Sequence, residues 1–168
     1  KKETLCFKNG IQDYLETELS QKTAINDKIG FGKGYDNVTK SKFEFALQWH
    51  QKINPIKKSF CNTVYNINGG THEAGFKTGI TKAIRKFSSL RKNKLVAKAT
   101  SDDVFQNCSF ILSAFIENPE FEGQTKHKLS SSFVQKIAEK ITQNIFEEWL
   151  NRNQKHSKNI INYLEEII

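Results

Sequence analysis

The sequence predicts an α/β two-layer domain with a mixed sheet. Three observations carry that reading. KFEFALQW (42–49) alternates apolar and polar residues at the period of a strand. SFILSAFIE (109–117) is an apolar run with no charge until Glu117. Between and after them, apolar residues recur at helical spacing over 76–87 and 134–149. Amphipathic helices of that length and strands of that character bury their apolar faces against one another.

Taken in order, Asn9–Ser20 (NGIQDYLETELS) predicts a short helix with Ile11, Tyr14, Leu15 and Leu19 on one face. Residues 26–42 are polar and carry Gly30, Gly32 and Gly34, which reads as a flexible loop. It is not a phosphate loop: G-x-x-x-x-G-K-[ST] is absent, and Tyr35 breaks G-x-G-x-x-G. In 42–49, Phe43, Phe45, Leu47 and Trp49 point one way and Glu44, Ala46 and Gln48 the other, as in a half-buried strand. Asn54-Pro55 marks a turn, and SFCNTVYN (59–66) predicts a second strand pairing with the first as an antiparallel hairpin. Asn68-Gly69-Gly70 breaks the chain.

Thr71 reads as the N-cap of the next helix, with Glu73 in its first turn, where the helix dipole favours a negative charge. Phe76, Ile80, Ala83, Ile84 and Phe87 form its buried stripe. Ser101-Asp102-Asp103 opens a short helical turn. Residues 109–117 suit a central strand covered on both faces, ended by Asn118-Pro119. Ser130–Ser132 cap a helix to about Leu150, with Val134, Ile137, Ala138, Ile141, Ile145 and Trp149 on one face. A final helix over 157–168 packs Ile160, Ile161, Leu164 and Ile168, and its apolar end suggests that the chain continues or docks beyond it.

A chain of 168 residues with 37% hydrophobic content and 13 Phe supports one domain with a real core. No apolar run approaches a bilayer span, and KKETLCFKNG at the start is no signal peptide, so a cytoplasmic fragment of something longer is expected. Cys6, Cys61 and Cys108 are far apart with no C-x-x-C pair, so a zinc site has no support. Reduced, mostly buried thiols are the simpler reading. A Cys–His nucleophile using His50, His72, His127 or His156 has no local pattern behind it.

The net charge is +8, and its placement is informative. From Thr71 to Lys98 stand eight basic residues (Lys77, Lys82, Arg85, Lys86, Arg91, Lys92, Lys94, Lys98) against one acid, Glu73, a net of +7. Such a stripe points to a polyanion partner; the alternative is a lysine-rich composition that is merely solvated.

GGTHEAGF (69–76) and EFEGQTKHKLSS (120–131) resemble the GGTHE segment and the QTK loop of the ATPase subunit of bacterial type IIA topoisomerases. FALQW (45–49), CNTV (61–64), NPEFEGQTKHKL and the opening FKNGIQDYL are similar to that family too, in the right order over essentially the whole chain. CNTV before the glycine pair and the SAFIENPEF context look more like the topoisomerase IV branch than the gyrase branch.

The resemblance implies that 1–168 is a single transducer domain, between a GHKL ATPase domain and a metal-binding TOPRIM domain that are both absent. It implies a ribosomal-protein-S-five domain-2-like sandwich with a left-handed β-α-β crossover. It implies that Gln124 and Lys126 reach the γ-phosphate of ATP bound mainly by the neighbouring domain. The full-length enzyme would use Mg, with none expected here, and the fragment alone would be inactive. Lys77 matches a family arginine facing a DNA-holding cavity of the dimer, with Lys82 and Arg85 as further basic candidates. Duplex DNA and a DNA-breakage subunit are the implied partners, in a nucleoid-associated full-length homodimer of which this fragment would be a monomer. Thr125 is expected to shape the loop, and His127 stands where an acidic or small residue would be usual. The same domain of the gyrase branch is the near alternative, and two further readings stay beside it. The first is a freestanding basic nucleic-acid-binding domain, and the second is a piece of another GHKL machine such as a mismatch-repair ATPase.

Overall fold

The computed structural model describes residues 10–19, 24–51 and 54–168. Within them, helices α1 (Ile11–Leu19), α2 (Thr71–Leu90), α3 (Ser101–Phe105), α4 (Ser132–Arg152) and α5 (Gln154–Ile167) surround one sheet. Its strands are β1 (Gly30–Asp36), β2 (Ser41–Trp49), β3 (Lys57–Cys61), β4 (Val64–Tyr65) and β5 (Cys108–Phe115), in spatial order β1-β2-β5-β3-β4. β5 is central and pairs antiparallel with β2 and parallel with β3, so the sheet is mixed. Its uncharged run follows from that position, since only Phe115 at its end is exposed. The chain passes from β3 through β4, α2 and α3 before returning parallel as β5, which makes the β-α-β crossover.

The main core lies between one sheet face and α2, α4, α3 and α5. Phe45, Leu47, Trp49, Phe110 and Leu112 meet Phe76, Ile80, Ile84, Phe105 and Phe146 there. Phe76 sits at its centre, with ring centroids 5.4 Å from Phe45, 5.8 Å from Phe105 and 5.0 Å from Phe110. The helix over 11–19 buries the four predicted residues, but against the opposite sheet face, on Ala46, Phe60 and Ile111. β2 is therefore covered on both faces rather than half-buried.

Four further expectations are corrected. Residues 30–36 form an edge strand, not a loop, paired with β2 from Gly30↔Leu47 to Asp36↔Ser41. Its glycines alternate onto the α4 face. A Cβ at Gly32 or Gly34 would stand 2.2 Å from Ile145 Cγ2 or 2.5 Å from Ile141 Cγ2, so the missing side chains seat the helix. The 59–66 segment does not pair with 42–49, because β5 lies between them. It is instead a hairpin in its own right. Asn62 (φ 50°) and Thr63 (φ 69°) turn it with two left-handed residues, the twist that a two-residue loop requires. Thr71 does not cap α2. The N-cap is Gly70, and Thr71 Oγ1 is buried without a hydrogen-bond partner among the described residues. Ile168 is 41% exposed rather than packed.

α2 and α4 run in close contact through a gap in side chains. A Cβ at Gly75 would lie 2.2 Å from the Gln135 carbonyl oxygen, and one at Gly79 would lie 2.3 Å from Thr142 Oγ1 and 2.6 Å from the Glu139 carbonyl oxygen. Ala138 and Thr142, opposite, are correspondingly small. The sheet-facing side of α4 buries Phe146 and Leu150 besides the predicted Val134, Ala138 and Trp149, while Ile137, Ile141 and Ile145 are partly covered. Ser131 stands at its N-cap without a side-chain bond to the helix, and its hydroxyl accepts from the Glu120 N–H at 2.8 Å.

Candidate functional site

Residues 122–128 form a closed loop at the end of the sheet. The Phe121↔Leu129 bridge, Glu122 N–H to the Lys128 carbonyl (2.9 Å) and Ser130 N–H to the Glu120 carbonyl (2.8 Å) tie its ends. Gly123 (φ 71°) and Lys126 (φ 58°) turn it; a lysine in the left-handed region costs about 1 kcal/mol or more and needs support from its surroundings.

That support comes from the GGTHE segment. Gly70 and Leu129 form a parallel bridge: Leu129 N–H donates to the Gly69 carbonyl at 3.1 Å, and Thr71 N–H to the Leu129 carbonyl at 3.0 Å. Gly70 has to be glycine here. Its φ is 144°, and a Cβ would lie 2.4 Å from the Leu129 carbonyl oxygen. One residue-pair earlier, Asn68 N–H donates to the His127 carbonyl at 2.8 Å. Asn66 Nδ2 donates to the Lys126 carbonyl at 2.8 Å, and Asn66 Oδ1 lies 3.1 Å from His72 Nε2. The two sequence motifs therefore touch along their backbones.

The loop's backbone is held while the side chains at its tip are exposed. Gln124, Thr125, Lys126 and His127 are exposed and line a cleft of about 450 Å³ with Val64, Tyr65 and Ile67. Lys128 faces Glu122 at 3.4 Å. The Lys126 ammonium has no hydrogen-bond or ion-pair partner among the described residues. A flexible cation on a fixed backbone is suited to a phosphate that arrives from outside.

Burial pushes the His72 imidazole down to about 4, a shift only partly opposed by the carboxylate of Glu73. The folded state thus disfavours the proton, and the unfolded chain binds more of it between pH 6.5 and about 4. Stability is therefore lost as the pH falls through that window. The unfolding free energy is expected to drop by up to about 3 kcal/mol between pH 7 and pH 4 from this group, and His72→Gln should remove that part of the slope in a urea titration.

The three basic candidates share α2 but not one environment. Lys77 is one-third exposed, pairs with Glu73 at 3.1 Å and lies 5.9 Å from the centroid of the Phe110 ring. Lys82 pairs with Glu139 of α4, and Lys86, a turn later, pairs with Glu147 at 3.2 Å. Arg85 donates from Nε to the Ala97 carbonyl at 3.0 Å. Acids from α4 thus offset part of the positive stretch, which sequence order alone conceals. Exposed pairs of this kind are worth little and yield readily to a stronger anion.

Cys61 and Cys108 are buried free thiols. Burial pushes Cys61 up to about 12 and Cys108 higher still, so neither is a thiolate nucleophile near neutral pH. Cys6 lies outside the described residues.

The DNA gyrase B family model matches residues 10–166. The chain belongs to the DNA gyrase B family. The similarity to named members of this family runs the length of the chain. It is 34% identical over 165 residues to the DNA topoisomerase 4 B subunit of Rickettsia typhi, covering 98% of this chain and 25% of that protein. It is 31% identical over 160 residues to the DNA gyrase B subunit of Helicobacter pylori, covering 95% of this chain and 20% of that protein. The chain thus spans a fifth to a quarter of the length of these relatives. Among solved structures, a topoisomerase IV ATP-binding domain of Francisella tularensis in complex with a small-molecule inhibitor superimposes with a TM-score of 0.78 at 28% identity, over 96% of this chain and 43% of that one. The fold is shared with the 43K ATPase domain of Thermus thermophilus gyrase B (TM-score 0.84, 20% identity, 99% of this chain and 44% of that one). This gyrase B family chain is therefore a domain of a type IIA topoisomerase B subunit.

Sequence reasoning singles out Gln124, Lys126 and the glycine pair, but misses Asn66. An asparagine after a short strand carries no periodic or motif signal, and its importance lies in a contact to a residue 60 positions away.

Proposed function

We propose that this domain is the transducer of a topoisomerase IV-type B subunit, relaying the ATP state of a neighbouring domain to DNA strand passage. The observation that supports it is the division of labour in the 122–128 loop: a backbone pinned to Gly69–Thr71 and Asn66, with exposed Gln124 and Lys126 side chains. Gln124 donates to, and Lys126 neutralises, the γ-phosphate of ATP whose Mg ion and remaining contacts belong to the adjoining ATPase domain. When the phosphate leaves, the charge-assisted contact goes with it and the domain is released to move. Residues 1–168 act as one such unit, in a subunit that dimerises, works with a DNA-breakage subunit and acts on duplex DNA in the nucleoid.

In the full-length subunit, amides of 123–128 should exchange at least about tenfold more slowly when a non-hydrolysable ATP analogue is bound. Exchange independent of nucleotide would overturn the reading.

The net +7 stretch supports a DNA-facing wall in the same dimer, with Lys77, Lys82 and Arg85 meeting phosphates without reading sequence. Lys77→Ala should lower the ratio of DNA-stimulated to basal ATP hydrolysis by about two- to fivefold, a contact worth roughly 0.5–1 kcal/mol. A ratio equal to that of wild type counts against the assignment.

A further inference from the structure

Resting on that reading, we infer that His72 and Asn66 form a positioning latch that sets the backbone of Lys126, and that this is the purpose of the histidine in GGTHE. The hydrogen-bond chemistry leaves one arrangement. The Lys126 carbonyl can only accept, so the Asn66 group facing it at 2.8 Å is the Nδ2 donor. The other end of that carboxamide, Oδ1, then faces His72 Nε2 at 3.1 Å, and the imidazole must be the tautomer protonated on Nε2. His72 Nδ1 is buried with no partner among the described residues, so the ring's one polar contact there is the one to Asn66.

Asn66 is itself anchored through its backbone. Its N–H donates to the Ser59 carbonyl of β3 at 2.8 Å, and its carbonyl accepts from Gly69 N–H at 2.9 Å. Asn66 and His72 are both fully buried, at 1% and 0% exposure, beneath a loop whose other side chains are open to solvent. The latch therefore runs from the sheet through a carboxamide to the one left-handed lysine of the loop. His72 touches no ligand position. It is a positioning residue, acting through Asn66 on the residue that reaches outward. Displacement of a phosphate-contacting group by about 1 Å costs on the order of 100-fold in rate, which makes such a device worth a buried histidine.

The test uses the full-length subunit, with amide exchange over 122–129 and steady-state ATP hydrolysis read together. His72→Ala and Asn66→Ala should each speed exchange across 122–129 at least about tenfold, leave 110–115 protected, and lower kcat at least about tenfold with KM within about twofold. The double variant should be no worse than either single one, since both cut the same chain of bonds. His72→Gln, which can present an amide N–H to Asn66, should recover most of the loss. Asn66→Leu covers the case in which an alanine variant fails to fold: it fills the same buried space without a donor to Lys126, and should loosen the loop equally. If His72→Ala lowers the melting temperature while loop exchange and kcat stay as in wild type, the histidine is a packing residue and the latch is overturned. If the loop loosens as expected but Lys126→Ala hydrolyses ATP normally, the latch stands and the phosphate contact falls.

Discussion

Lys126→Ala in the full-length subunit is expected to slow ATP hydrolysis by about 100-fold and to abolish ATP-dependent strand passage. The magnitude is that of removing one preformed donor from a developing anion, about 3 kcal/mol in a site shielded from water. The isolated fold gives the substitution little else to disturb. The side chain is exposed, and alanine meets the same left-handed backbone as lysine. Thermal unfolding should therefore shift by less than about 2 °C, corresponding to a surface change within about ±0.5 kcal/mol. Lys126→Gln keeps a donor and removes the charge, and should fall near the alanine variant. Lys126→Arg should recover only in part, because a planar fork does not replace a compact ammonium. Hydrolysis within about threefold of wild type for Lys126→Ala would remove the loop from the nucleotide site.

The second large effect is structural. Gly79→Leu should destabilise the domain by about 3 kcal/mol or more, at or above the usual cost of overpacking. The first added carbon already conflicts with Thr142 Oγ1 and, at 2.6 Å, with the backbone oxygen of Glu139, which no rotamer change can move. Gly79→Ala tests the point more finely. Helix propensity alone favours alanine by about 1 kcal/mol, so a net loss shows that the close approach of α2 and α4 outweighs it. Ala74, on the exposed side of the same helix, is the control, and Ala74→Leu should change stability by no more than about 0.5 kcal/mol. A neutral Gly79→Leu in chemical unfolding would mean that the helices can separate without loss.

These glycines show where a linear reading stops. Gly30, Gly32 and Gly34 carry low strand propensity, and a polar, glycine-rich segment reads as a loop. They are strand residues because Ile141 and Ile145 of a helix over a hundred positions later fill the space where the side chains of Gly32 and Gly34 would be. The same holds for 59–66. Its neighbour in sequence is β2, but the neighbour in space is β5, whose two edges accept β2 and β3 together. Thr71 has the right chemistry for an N-cap, yet Gly70 takes that place because the backbone must press against Leu129 at an angle only glycine tolerates.

The functional loop is partly legible in the sequence. Gln124 and Lys126 can be named from their motif, and the GGTHE segment from its own, but nothing in either stretch says that they touch. Asn66 and His72 acquire meaning only when Lys126 lies over them. The basic stretch looks like an uncompensated outward stripe when charges are counted along the chain. Glu139 and Glu147, which pair with Lys82 and Lys86, come from another helix.

By itself, then, the sequence determined the buried stripes of the helices over 11–19 and 71–90, where the helices and the central strand run, and which family the chain belongs to. Those follow from periodicity and from short motifs, and both are properties of neighbouring residues. The tertiary structure alone decided which strands pair, where a missing Cβ admits a helix, and that a buried histidine reaches Lys126 through one asparagine. Each of these depends on atoms brought within about 3 Å from distant parts of the chain, and a hydrogen bond or a steric overlap exists only at that range.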